Sequence, residues 1–187
     1  LASKRMMAYV FDGYWEDIGT VGSFWECNLT LTDPVPPFDF FDGQNPVYTH
    51  ARYLPPAKLN GARSARVLMA DGAIVDDSEL NRCVIGVRSV IRGGSRLENV
   101  VMMGADAFER PHDLARNHSL GRPDIGVGPN CLIRNAIIDK NARIGAGSRL
   151  APTGLPEKWE TEALFVRDGV IVVKKGAIVP PGTVVGE

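Results

Sequence analysis

The residues that could do chemistry are few and widely spaced. In the stretch FDGYWEDIGT, residues 11 to 20, Glu16 and Asp17 put two carboxylates side by side. A carboxylate next to a phosphate can hold a hard cation that offsets the charge on the phosphate oxygens. On spacing alone, the better reading of Asp17 is that it serves the following turn or the positive end of a nearby helix. Lys140 stands in IIDKNA and Lys175 in VVKKGA. Two ammonium groups converging on one point make an anion site, whereas each alone is an ordinary solvated lysine. Lys174 precedes Lys175, and strand alternation sends such neighbours to opposite faces, so only one of them can point at a given site. Arg52, in HARYLP, carries a guanidinium fork suited to an oxyanion. The three histidines have no metal-ligand spacing; His112 and His118 lie in a polar stretch where surface placement is the default.

The elements that must position these groups fall into three stretches. Residues 1–32 read as a strand, Met7 to Phe11, then a turn and a helix with Val21, Phe24, Trp25 and Leu29 on one face. Thr20 is a suitable N-cap, and Ser23 with Glu26 has capping-box spacing, so the helix could start at either. Residues 33–62 form a connector rich in proline and aromatic residues; Phe38, Phe40, Phe41, Tyr48 and Tyr53 argue that it packs against neighbours.

From residue 63 to 187 an apolar residue returns every sixth position: Leu68, Ile74, Leu80; Ile85, Ile91, Leu97, Met103; Leu132, Ile138, Ile144, Leu150; Val172, Ile178, Val184. A helix cannot use this period, because alternate repeats would fall on opposite faces. A short strand and a tight turn in every unit, three units to a coil, stack these residues inside a triangular solenoid. Glycine and asparagine between them suit corners that need left-handed backbone. The expected fold is mainly β, a left-handed parallel β-helix, with an antiparallel sandwich as the competitor. Residues 104–124 and 152–168 break the phase and are expected to be loops expelled from coil corners, of a length often associated with function or partners.

Composition narrows the function classes. Net charge is −1, and no run of Lys or Arg exceeds two, which argues against nucleic acid or an anionic membrane as a partner. Cys27, Cys83 and Cys131 are odd in number, far apart and without CxxC spacing, so neither a disulfide framework nor a zinc knuckle is expected, and a cytoplasmic setting fits. No apolar stretch approaches the ~20 residues of a membrane span.

In order, FDGYWEDIGT, FWECNLTLT, PVYTHARYLPPAKL, CVIGVRSVI, VVMMGADAFE, IRNAIIDKNARIG and VRDGVIVVKKGAIV resemble the C-terminal part of glucose-1-phosphate adenylyltransferase, or ADP-glucose pyrophosphorylase, most closely its cyanobacterial and plant form. The resemblance implies a parent enzyme that joins ATP and glucose 1-phosphate into ADP-glucose and pyrophosphate for glycogen or starch synthesis. It makes residues 1–32 the end of a nucleotidyltransferase domain, 33–62 the connector, and 63–187 a regulatory and oligomerising β-helix within a tetramer. It implies that Asp17 helps to bind magnesium (Mg2+) together with an aspartate of the catalytic domain, weakly on this chain alone. Lys140 and Lys175 match lysines that hold the activator 3-phosphoglycerate, with Lys175 favoured over Lys174, and Arg52 matches an arginine linked to inhibition by orthophosphate.

The family's Gly-rich loop and phosphate-holding lysines do not occur in this sequence, so the chain alone is expected to be inactive, with the remainder of the active site upstream. Two other functions fit a solenoid. One is a freestanding hexapeptide acyltransferase using His118 and a coenzyme A groove, which leaves WEDIGT unexplained; the other is a noncatalytic assembly or effector-binding subunit.

Overall fold

The computed structural model describes residues 4–186. Its centre is a stack of parallel coils with three faces. One face is a six-stranded parallel sheet of Lys58–Asn60, Ile74–Asp76, Val90–Ile91, Gly126–Val127, Arg143–Ile144 and Ile178–Val179. The other two share the seven-residue strands Arg63–Met69, Glu79–Ile85, Arg96–Met102 and Leu132–Ile138, each of which turns a corner at its fourth residue. Those corner residues, Arg66, Arg82, Asn99 and Asn135, all have positive φ, and the pairing register passes over Arg66 and Arg82. Arg149–Leu150 and Val184–Val185 extend the half before the corner, and Val170–Val173 the half after it. Pairing therefore begins at Lys58, inside the stretch read as connector.

The interior is made of in-register aliphatic columns. Val75, Ile91, Val127, Ile144 and Val179 form one, and Leu80, Leu97, Ile133 and Leu150 another, all essentially buried. Burying each such side chain contributes about 1.5–3 kcal/mol, and stacking in register satisfies the backbone groups of the same strands. The six-residue period has the right phase at Ile85, Ile91, Leu97 and at Ile138, Ile144, Leu150. Leu80 is also in phase, but the last run is one residue out: the interior takes Val173 and Val179, while Ile178 and Val184 are exposed. Ile178-Val179 and Val184-Val185 are pairs of aliphatic neighbours, so spacing alone cannot say which member points inward.

Helix α1, Val21–Thr30, lies against the outside of the coils. Thr20 caps it: its Oγ1 accepts from the Ser23 N–H at 3.0 Å, and Ser23 Oγ accepts from the Thr20 N–H at 3.0 Å. That settles the start at Thr20. Val21, Phe24, Trp25 and the fully buried Leu29 pack over Val101, Ile137, Val170 and Val172, the outward residues of one face. Trp25 Nε1 donates to the Asn99 carbonyl at 2.9 Å, and Arg82 reaches both the Trp25 ring and Glu26, the latter at 2.5 Å.

Three expectations are corrected. Met7 to Phe11 is not a strand; it pairs with nothing among the described residues and is exposed, and an apolar run without a neighbouring strand has nothing to hold it as one. The connector does not pack against the coils along its length, since Phe41, Tyr48 and Tyr53 are exposed. The stretch 152–168 is not all loop: Leu164–Arg167 pairs antiparallel with Val170–Val173 across Asp168 and Gly169, both at positive φ. An Asp-Gly pair between apolar runs is the hairpin signal that reading missed. Within 104–124, Pro111–Ser119 forms a second helix, α2.

Candidate functional site

Lys140 and Lys175 come together because two turns stack. In Asp139-Lys140-Asn141-Ala142 and in Lys174-Lys175-Gly176-Ala177 the last N–H donates to the first carbonyl, at 3.4 and 3.0 Å. The third residue of each is left-handed, Asn141 with φ 61° and Gly176 with φ 66°. Turns of this kind require glycine or asparagine there, which is what the sequence supplies. The Gly176 N–H donates to the Lys140 carbonyl at 2.8 Å, so the turns sit one directly above the other. Each lysine occupies the second position, Lys140 half-buried and Lys175 exposed, on backbones about 4.8 Å apart.

Lys174 points elsewhere. Its Nζ donates to Glu160 Oε1 and to the Thr161 carbonyl, both at 2.9 Å, and Glu160 also meets Arg167 at 3.0 Å. The Lys174 bond, then its charge, then Arg167 hold the Glu160 carboxyl below the usual range. Lys175 is exposed, has no ion-pair partner among the described residues, and borders an open groove of about 490 Å³ with Glu162 and Ile178.

The expelled loop sends one carboxylate onto this corner. It leaves the coil at Gly104, φ 86°, where a Cβ would lie 2.0 Å from the Val87 carbonyl oxygen, so no larger residue fits. Two residues on, Asp106 Oδ1 accepts from Lys140 Nζ at 3.1 Å, and Oδ2 accepts from Asn141 Nδ2 at 2.7 Å. The Asp106 N–H in turn donates to Asn141 Oδ1 at 2.9 Å. The Asn141 bond, then the Lys140 bond, then the charges of Lys140 and Lys175 depress the Asp106 carboxyl.

The loop is pinned by a buried polar cluster that nothing in the sequence pattern indicated. Glu109 pairs with Arg143 at 2.8 Å, with both side chains nearly buried. Glu109 also accepts from Asn117 Nδ2 and from the Ile125 N–H, both at 2.7 Å. Burial raises the Glu109 pKa, but the bonds from Asn117, Ile125 and Arg143 outweigh it and the carboxyl stays below its usual range. Asn117, fully buried on α2, also donates to Asp124 and accepts from Arg122.

The other candidates stand apart from this corner's contacts. Asp17 is exposed in the extended segment before α1, and no group of three or more His, Cys, Asp or Glu able to hold a metal occurs among the described residues. Asp17 by itself does not amount to a magnesium site. Arg52 is exposed, its Nη1 at 3.5 Å from the His50 carbonyl. His118, on α2, borders a groove of about 440 Å³ with Arg92 and Arg122, whose guanidiniums are taken by Asp124 and Asn117. No helix among the described residues is long and apolar enough to cross a membrane.

Comparison with known families matches residues 52–184 to the GLGC left-handed parallel beta-helix domain. The match takes in the paired coils from Lys58 to Val184 and both stacked lysine turns. On that match, which agrees with the resemblance of its ordered motifs, the chain belongs to the GLGC left-handed parallel beta-helix domain family.

Proposed function

We propose that this chain is the regulatory and oligomerising C-terminal region of a glucose-1-phosphate adenylyltransferase of the cyanobacterial and plant kind, with Lys140 and Lys175 holding a phosphorylated activator such as 3-phosphoglycerate. The observation that carries the reading is the pair of stacked turns that sets Lys140 and Lys175 on adjacent coils at one corner, with both charges acting on Asp106. Two like charges facing one ligand repel, and an anion with at least two negative charges relieves that repulsion while accepting from both. Arg52 is assigned to orthophosphate inhibition. Asp17 is assigned as one magnesium ligand among others supplied by the nucleotidyltransferase domain.

The exposed Met7, Phe11, Trp15 and Phe41 support a catalytic domain and further subunits of a tetramer packing on residues 4–57, because so much apolar surface is uncommon on a free monomer. Three free cysteines fit a cytoplasmic setting. Activation requires that the effector bind the active arrangement more tightly than the inactive one, and contacts at Lys140 and Lys175 supply part of that difference. In the complete enzyme, Lys140→Glu is expected to weaken activation by 3-phosphoglycerate and leave basal turnover unchanged. An unaltered activation curve would remove the assignment.

A further inference from the structure

The two-lysine corner already has an anion on it. Asp106 reaches Lys140 at 3.1 Å and is locked to Asn141 by two reciprocal bonds. We infer that the Asp106 carboxylate is a built-in competitor for the anion held by Lys140 and Lys175, so that an incoming phosphate must turn it out of the site. The inference rests on the reading of these lysines as an anion site and adds the residue that sets its threshold.

Three features make Asp106 a displaceable occupant. Its side chain is about half exposed, at 53%, as is that of Lys140, at 39%, so the carboxylate can swing into water without leaving a buried charge behind. The backbone on either side is fixed: Gly104 is held against Val87, and Glu109 is held by Arg143, Asn117 and Ile125. Displacement therefore needs a side-chain rotation and no loop opening. The charge ordering also suits the exchange. A single carboxylate balances one of the two lysines, and Lys175 is left without an ion-pair partner among the described residues. A phosphate dianion answers both, whereas a simple monocarboxylate gains nothing over Asp106.

The test measures binding of inorganic phosphate by calorimetry to this chain and to Asp106→Asn, Asp106→Ala and Lys140→Gln, with thermal unfolding of each to confirm folding. Asp106→Asn keeps an acceptor for Asn141 and removes only the charge. Both Asp106 variants are expected to bind phosphate about tenfold more tightly, since they lose a competing pair and a like-charge repulsion. Lys140→Gln is expected to bind more weakly by a similar factor. If Lys140→Gln weakens binding but the folded Asp106 variants bind no more tightly than the unmodified chain, Asp106 is not a competitor and the anion site stands. If Lys140→Gln leaves phosphate binding unchanged, the anion site itself falls and the inference with it.

Discussion

Among the charged residues, Glu109 has a large expected effect on folding. Its ion pair with Arg143 is nearly buried, and removing one partner of such a pair leaves the other charge unanswered, at a cost of about 3 kcal/mol. Glu109→Ala is expected to lower stability by that order in urea unfolding, with Glu109→Gln milder because it keeps acceptors for Asn117 and the Ile125 N–H. The folded-state pKa of Glu109 lies below its unfolded value of about 4.3. Its contribution is then complete above the unfolded pKa and is lost as pH falls through the folded one. Unmodified protein should therefore lose stability more steeply than Glu109→Ala as the solution is acidified below about pH 4.3; parallel melting curves across that range would refute it. Thiol chemistry follows burial in the same way. Cys83 is fully buried and its thiol is pushed up to about 11 by burial, while Cys27 is partly exposed. A disulfide reagent at pH 8 should modify Cys27 in the native protein and reach Cys83 only on unfolding, as peptide mapping would show.

At the level of elements, α1 works as an external clamp, and its face was legible because four apolar residues at helical spacing have few other uses. Leu29→Ala should cost about 2–5 kcal/mol, measured by chemical denaturation, since Leu29 is fully buried against Val101, Ile137 and Val172. The coils were legible for a related reason: a six-residue aliphatic period has few other solutions. Their phase is unambiguous in the sequence where a single aliphatic residue stands between charged or small neighbours, as at Leu97 and Ile144, and ambiguous where two aliphatic residues adjoin. At Ile178-Val179 the choice is made by pairing with Arg143-Ile144, which spacing does not encode. The candidate site was legible in its lysines but not in their company. Glu160, which engages Lys174, and Asp106, which engages Lys140, both sit in polar stretches where any one carboxylate looks like the next. Contact between segments more than thirty positions apart, as for Asp106 and Lys140, is a product of the coil geometry.

For the whole molecule, each coil touches mainly the coils before and after it, so stability is distributed along the stack and falls toward its ends. Interior residues of the middle coils, Leu97 and Ile133, are fully buried, while Leu59 in the first strand, in register with the buried Val75, is exposed. Amide exchange is expected to be slowest in Arg96–Met102 and Leu132–Ile138 and fastest in Lys58–Asn60 and Val184–Val185. Uniform protection along the stack would argue for a single cooperative unit.

The departure of the loop at Gly104 has a consequence for how such a protein diversifies. The ladder resumes across the insertion, with Ile91 paired to Val127, as though residues 104–124 were absent. The segment carrying Asp106 is thus an insert on a continuous ladder, tied to it at Gly104 and through Glu109 to Arg143, and changes on its exposed side leave the scaffold that stacks Lys140 and Lys175 untouched. New metabolic signals could be adopted by rewriting one surface insert, without redesigning the coils beneath it.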